Sequence, residues 1–406
     1  MAEPIAIIGA GPAGMATALA LQKVGHPAVI YERYKEARPA GNILNLWPPP
    51  IKALQDMGVD TDDLGAPCAG VFTNAKGHVR ADVHIDPEVQ RKYNGGFIGM
   101  LRPVLYERML AALPEDTIQP STTITDFHDH GDGVTLTFAD GTTKETPVLI
   151  GADGIDSMVR RKLWGDSPKR EHKLHIIGGY TMTTPPGPRK GYCVVAHGRK
   201  VQGSYSSIRK DGQDGFQWWV LEAWNPETPP PASLAAHARS LAAEFPAVAT
   251  LVAATPEQNI QRWQIRDRVP LEKWSKGRAT LAGDSAHATS PYAAYGAGMS
   301  IGDGYFIAKN LNGVDLADTA AVVGALETYE QPRIPHTTAQ VQMAYQLGQM
   351  FHHAPAIVRP VRDFYFDHSK MLQKQIGDQN PKDIIAQLGE MGEALGPSRD
   401  ALEETA

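Results

Sequence analysis

Three glycines open the chain's chemistry. In Gly9-Ala10-Gly11-Pro12-Ala13-Gly14 they follow the apolar run Ile5 to Ile8 and precede a helical stretch containing Ala18, Leu19 and Leu21. This pattern suits a pyrophosphate. The first glycine makes the tight turn, the second leaves space for phosphate, and the third lets helix and strand pack closely. The helix N-terminus then turns its N–H groups and partial positive charge toward the anion. Glu32 stands 18 residues after Gly14, at the end of the next strand, Ala28 to Tyr31. A carboxylate there can accept ribose hydroxyls and disfavours a 2′-phosphate. The site is therefore expected to hold NAD or FAD rather than NADP; the motif alone does not choose between them.

Two further blocks recur along the chain. One is Gly151-Ala152-Asp153-Gly154 continuing to Arg160. The other is Gly283-Asp284-Ser285-Ala286-His287, continuing through Pro291 to Gly296-Ala297-Gly298 and Asp303. His287 follows an acid at three residues, but no Ser or Cys nucleophile pattern accompanies it, so a structural role is expected. His352 and His353 are adjacent and point apart on a helix, and two ligands make a poor site, so no metal is expected. Cys68 and Cys193 are too few for a disulfide framework.

These residues need elements to hold them. The start reads as a βαβ unit whose first strand is central and buried. Thr122 to Phe127, Val134 to Phe138 and the Asp140-Gly141 turn suggest an inserted β meander before the buried run Pro147 to Ile150. Longer antiparallel strands are expected at 173–183, 192–196, 201–209 and 215–223, with a hairpin turn at Lys210-Asp211-Gly212. A Pro-rich linker at 226–231, a helix at 232–245, a strand at 259–269 and a strand at 278–282 follow. A helical tail is expected over 318–329, 335–351 and 383–395. The chain of 406 residues exceeds one core. The domains are expected at 1–75, 98–172 and 268–335 for a discontinuous nucleotide-binding unit, at 76–97 and 173–267 for a substrate-binding sheet, and at 336–406 for C-terminal helices.

Composition narrows the class. Net charge is −6, which argues against a nucleic-acid partner. No apolar run reaches the roughly 18 residues of a membrane span. The N-terminus lacks a basic start and long apolar segment, which predicts no secretory leader and a cytoplasmic location. Gly 39 and Pro 31 exceed the average share, so loops around a ligand are expected.

The three blocks, in this order, resemble the FAD-dependent aromatic hydroxylases, the group A flavoprotein monooxygenases. Arg102-Pro103-Val104-Leu105 matches that family's Arg-x-x-Leu helix start, and Gly41 with Trp47-Pro48 resembles its segment after the first βαβ unit. The resemblance covers roughly residues 1–315 and is nearest to salicylate hydroxylase-like and FAD-dependent urate hydroxylase-like members. It implies an α/β fold: a Rossmann-like FAD-binding domain interleaved with an antiparallel β-sheet substrate domain and a C-terminal helical tail. It implies FAD as cofactor and NAD(P)H and O2 as co-substrates. A small aromatic or polycyclic substrate would be hydroxylated through a C4a-hydroperoxyflavin.

The same resemblance implies site residues. Gly9, Gly11, Pro12, Ala13, Gly14, Glu32 and Arg33 would hold the nucleotide end. Arg102, Asp153, Gly283 and Asp284 would flank the linking chain, Asp284 accepting a ribityl hydroxyl. Pro291, Gly296, Ala297, Gly298 and Met299 would border the flavin ring. Asp153, besides supporting the flavin, would bear on nicotinamide use. The family loop reads Pro-x-x-Gly-x-Gly-x-Gly, and Ala294 stands where its first Gly is expected. A methyl there constrains the backbone and narrows the approach to the flavin. Tyr292 and Tyr295 are bulky for this loop and suggest a distinctive pocket. Alternation places Val201, Gly203, Tyr205 and Ser207 on one face of their strand, and Gln217, Trp219, Leu221 and Ala223 on one face of theirs. Tyr205 and Trp219, with Met182 before them, are the expected substrate-wall residues.

Alternatives remain open on sequence. An epoxidase or Baeyer–Villiger-type oxygenase would share the motifs. A flavin-dependent halogenase should carry Trp-x-Trp-x-Ile-Pro, which Trp218-Trp219 does not match. An NAD-dependent dehydrogenase leaves Asp284 and its glycines without a role. A non-enzymatic binding protein of this fold, like the Rab-binding chaperones, would lack FAD. The tail helices leave room for a homodimer.

Overall fold

The computed structural model describes residues 3–36 and 41–396; Ala293 is described for its backbone alone. Its nucleotide-binding half is a parallel five-stranded sheet in the order Ala279–Leu281, Leu149–Gly151, Ile5–Ile8, Ala28–Tyr31, Ile118–Gln119. Ile5, Ala6 and Ile7 are fully buried, as a strand covered on both faces requires. The helix Pro12–Lys23 crosses between the first two neighbours in the chain, and the helix Gly296–Leu311 packs beside it. The expected meander forms a separate antiparallel sheet of Ile124–Asp129, Val134–Phe138 and Thr143–Thr146. A further three-stranded sheet joins Ile43–Leu46, Ile98–Leu101 and Ala66–Pro67.

The second large sheet has seven strands. Their order is Gln261–Asp267, Arg170–Thr181, Gln213–Ala223, Gln202–Lys210, Tyr192–His197, Ala69–Asn74, Val79–Val83. It is antiparallel except where Tyr192–His197 runs parallel to Ala69–Asn74. Residues 69–74 therefore sit in this sheet, although the sequence reading grouped them with residues 1–75. Their backbone groups are completed only by the strand at Tyr192–His197 and the hairpin to Val79–Val83.

One face of the seven-stranded sheet is covered by two short helices, Leu234–Ala242 and Pro246–Ala254. A single helix was expected over 232–245. The break falls where Pro246, at the first helical position, ends one helix and starts the next. In the tail, the two expected helices at 318–329 and 335–351 are one helix, Thr319–Gly348, which runs through Pro332 and Pro335. Arg359–His368 and Gln379–Met391 complete the tail and, with Phe351, Leu372 and Ile376, cover the opposite side of the sheet. No helix among the described residues is long and apolar enough to cross a membrane.

Candidate functional site

A cavity of about 600 Å³ lies between the glycine loop, the loop 284–300 and the seven-stranded sheet. Its floor is the helix Pro12–Lys23. The three glycines there do different work. A Cβ on Gly14 would fall 1.9 Å from the Gly9 carbonyl oxygen, and one on Gly9, at φ +104, would fall 2.5 Å from that of Ala152. Those two permit close backbone packing. A Cβ on Gly11 would meet nothing within 4 Å, because it faces the cavity. No side chain caps this helix, so its first turn can bind a phosphate.

Glu32 fastens the same loop. Its carboxylate accepts the Ala10 N–H at 2.8 Å and the Tyr34 N–H at 2.9 Å. Arg33, beside it, is exposed and lies over the Tyr34 ring. Asp284, Arg102, Pro291, Gly296 and Ala297 line the cavity together with Gly11, Pro12 and Ala13. This set can hold an elongated dinucleotide: a phosphate at each helix start, a hydroxyl acceptor in Asp284, and backbone at Gly296 for a flat ring.

Other expected residues are placed behind the wall. Asp153 turns into the protein and accepts the Met158 N–H at 2.6 Å, capping the helix Met158–Trp164. Burial pushes its carboxyl up against those hydrogen bonds. Gly283, at φ +64, donates its N–H to Asp303 at 2.8 Å and so sets the position of Asp284. Gly298 makes room for the Tyr295 ring, 2.8 Å from where a Cβ would sit. Met299 is buried, and its carbonyl accepts from Arg333.

A buried charge network supports the loop. The Asp303 carboxylate accepts from His287 Nε2 at 2.5 Å and from Arg333 Nε at 2.9 Å, all three side chains being almost fully buried. Burial alone would raise the carboxyl, but His287 and Arg333 hold it below its ordinary value. His287 also packs on Trp274. This is the structural role expected for it.

The substrate wall differs from expectation at two residues. Trp219 and Ile176 line the cavity, but Tyr205 lies on the other face of the sheet. Directly paired residues in neighbouring strands share a face. Trp219 pairs with Ser204, whereas Tyr205 pairs with Trp218 and packs beneath the two short helices. The Tyr205 hydroxyl accepts the Arg189 N–H there. Met182 lies past the strand end, against Gly215, and lines neither cavity described here. Tyr295 reaches the cavity with its ring while its hydroxyl donates to Gln387 at 2.8 Å. Tyr292 lines a second, smaller cavity and shares its hydroxyl hydrogen bond with His352.

Sequence reasoning missed several residues that line the large cavity. Asn45, Tyr106, Trp263, Gln264 and Arg266 do so, as do Lys169 and Asp156, which form an ion pair at 2.8 Å. The strand carrying Trp263 to Arg266 was expected, but its place at the sheet edge beside Arg170–Thr181 depends on a long-range pairing. Ala294 lines both cavities and holds φ +48, the left-handed conformation that a glycine would occupy freely.

One cluster resembles a ligand set. His175, Glu222 and His237 bring their ligand atoms within 4.8 Å of one another. Arg262 Nε donates to His175 Nδ1 at 2.7 Å, which leaves the proton on Nε2 facing Glu222. That nitrogen then has no lone pair for a metal. The trio is a hydrogen-bonded group that ties the strand Arg170–Thr181 to Gln213–Ala223 and the helix Leu234–Ala242.

The family described as FAD binding domain matches residues 3–344. A 3-amino-4-hydroxybenzoate 2-monooxygenase, PtmB3 of Streptomyces platensis, is 29% identical over 86% of this chain and 88% of its own length. A 6-hydroxynicotinate 3-monooxygenase of Bordetella bronchiseptica is 28% identical over 81% of this chain and 87% of its own. The structure of Klebsiella pneumoniae HpxO complexed with FAD and uric acid shares the fold, with a TM-score of 0.81 at 22% identity, over 94% of this chain and 97% of that one.

Proposed function

The chain belongs to the FAD binding domain family, among the FAD-dependent aromatic hydroxylases, and from that premise we propose that it uses NAD(P)H and O2 to hydroxylate a small aromatic substrate. The observation that carries this reading is the single 600 Å³ cavity, which runs from an uncapped helix start at Gly11 to an aromatic wall at Trp219. FAD, when bound, supplies the reduction and oxygen activation; the protein supplies placement.

The residues present fit FAD. Gly11 is open where a pyrophosphate must approach, while Gly9 and Gly14 are packed against backbone. Asp284 offers an acceptor to a hydroxyl of the linking chain. The helix Gly296–Leu311 starts at the cavity with no side-chain cap, so its N–H groups favour negative charge at the ring end. Trp219, Ile176 and Pro291 form an apolar wall that keeps water from the substrate ring.

The test is direct. The purified protein is expected to carry or take up FAD, visible in its absorption spectrum. NADH or NADPH oxidation should then rise with a hydroxylated aromatic acid and yield a product heavier by one oxygen. A protein that takes up no FAD overturns the reading at its root. Reduction that yields only H2O2 with every aromatic tested overturns the hydroxylase assignment while leaving the cofactor in place.

A further inference from the structure

A second cavity, of about 80 Å³, adjoins the first. Ile176, Trp219, Pro291 and Ala294 line both, so these four stand at the boundary between them. Its far walls come from the tail: Met343, Leu347, Phe351, Leu372 and Ile376. Most of this lining is apolar. His197, Gln202 and the half-buried Asn380 break the pattern, and only the first two are almost fully buried. His197 and Gln202 are each 4% exposed. Neither ring nitrogen of His197 has a hydrogen-bond partner, and neither has the Gln202 Oε1. Gln202 uses its amide nitrogen on Ser204 at 3.0 Å, so its oxygen is held in place.

The two are built as a pair. His197 and Gln202 are directly opposed across the strands Tyr192–His197 and Gln202–Lys210, so their side chains leave the sheet on one face. The His197 ring is stacked on Phe351 at 3.8 Å between centroids and lies nearly parallel to Tyr292. Burial, with His352 and two arginines nearby, holds this imidazole well below its ordinary value, so it is neutral. A neutral imidazole offers one donor and one acceptor, and the Gln202 oxygen adds a second acceptor. Buried polar atoms without partners are costly, and folded proteins keep few of them. Three on adjacent side chains beside the cofactor cavity call for a partner that arrives with the ligand.

We propose that the His197–Gln202 pair is the polar end of the substrate site, selecting a flat aromatic ligand whose leading edge carries a hydroxyl or ring N–H. The ring lies at the boundary of the two cavities, beside Trp219 and Pro291, and its hydrogen donor meets Gln202 Oε1 or the unprotonated nitrogen of His197. An edge with an acceptor beside that donor also uses the imidazole N–H. This inference rests on the hydroxylase reading and adds to it a substrate class. The pair acts by binding and orientation; no covalent step is assigned to it.

The experiment compares matched ligands on the FAD-loaded protein. Flavin difference spectra would give the Kd of 4-hydroxybenzoate against benzoate and of 6-hydroxynicotinate against nicotinate. The expected result is at least tenfold tighter binding of the hydroxylated member in at least one pair. In His197→Phe and Gln202→Leu that ratio should fall to near one, with the unsubstituted member unchanged. His197→Asn, which keeps a donor and an acceptor, should restore part of it. A second readout needs no ligand. If these polar atoms exist for a ligand, His197→Phe should raise the Tm, because a buried unpartnered group is replaced by a ring that can keep the Phe351 stack. Equal binding of both members, no binding of either, a ratio that survives in both variants, or a lowered Tm overturns the inference. Loss of FAD binding in the unaltered protein would instead overturn the function it rests on.

Discussion

Replacing Asp303 by Asn tests how the cofactor loop is held. The change keeps the shape and removes the charge. Asp303 faces three donors: the Gly283 N–H, His287 Nε2 and Arg333 Nε. An amide has one oxygen and one NH2. If the oxygen faces Arg333, the NH2 meets the Gly283 N–H. If it faces Gly283, the NH2 meets the guanidinium. Either way a buried donor is orphaned, and Arg333, 2% exposed, loses its counter-charge. Breaking a buried pair from one side costs about 3–5 kcal/mol. For a chain of 406 residues that is a Tm lower by roughly 4–6 °C. Gly283 lies next to Asp284, so FAD should dissociate at lower temperature than the fold melts. The assay is a thermal melt followed in parallel by flavin fluorescence and circular dichroism. Asp303→Asn with Arg333→Met removes both charges. The double variant should therefore lose less than the sum of the singles by roughly 1–3 kcal/mol. A single-variant loss under about 1 kcal/mol, or strict additivity, would refute the reasoning.

Three further outcomes are expected. Gly11→Ala should fold with a Tm near that of the original protein yet bind FAD at least tenfold more weakly, because its methyl enters the phosphate approach. Gly14→Ala should fail to fold, since its Cβ would lie 1.9 Å from the Gly9 oxygen; equal behaviour of the two in expression and FAD titration would contradict this division of roles. Ala294→Gly should gain up to about 1 kcal/mol in urea unfolding. The left-handed penalty of about 1–2 kcal/mol is relieved, and the greater freedom of unfolded Gly offsets about 0.4–1 kcal/mol of that. A clear loss of stability would show that the methyl contributes packing instead. Acid should destabilise the protein from pH 6.5 downward. Burial, with Arg333 near one and His353 and Arg362 near the other, takes His336 and His352 down to about 3. Their folded values lie below the unfolded one, so unfolding takes up protons in this window and stability falls as pH falls. These two contribute up to about 3 kcal/mol per pH unit, His197, also held low, adds to this, and Asp153, whose carboxyl is raised, offsets part of it near the acid end. A urea midpoint unchanged between pH 7 and pH 5 would sink the assignment of neutral buried imidazoles.

The nucleotide half of the fold was legible because its signals are local. Gly9 to Gly14 sit between a short apolar strand and a helix, and the strand proved central with both faces covered. The motif assigned Gly11 to the phosphate and Gly14 to packing, and the neighbours of a missing Cβ agree: none within 4 Å for Gly11, the Gly9 oxygen at 1.9 Å for Gly14. Asp153 shows what a motif leaves open: it names a residue type, but whether the carboxylate faces a ligand or caps the next helix is decided by where that helix starts. The tail differed as well: Pro335 was expected to start a second helix, and it lies with Pro332 inside one helix.

The substrate wall was a different kind of failure, one of register. Asp211 and Gly212 both have positive φ, +52 and +73, as a two-residue hairpin turn of the mirror-image type requires. A two-residue loop there pairs Lys210 with Gln213, and counting back pairs Ser204 with Trp219. Tyr205 is then bound to the opposite face, where it packs under the helices at 234–254. The expectation that Tyr205 and Trp219 share a wall follows from a turn of three residues, Lys210-Asp211-Gly212, which would pair Arg209 with Gln213 and set Tyr205 opposite Gln217 on the face of Trp219; the two-residue turn shifts that register by one. The same count pairs Gln202 with Leu221, two residues from Trp219 and on its face. His197, directly opposite Gln202, follows it there. Alternation supplies two faces for every strand, and only register says which faces meet. What register cannot supply is the cover: Met343, Leu347, Phe351, Leu372 and Ile376 arrive from the tail, more than 140 residues further along the chain. Until they close over the sheet, His197 and Gln202 are two polar residues near a hairpin. Once they do, the pair is buried, and three of its polar atoms are left without a protein partner.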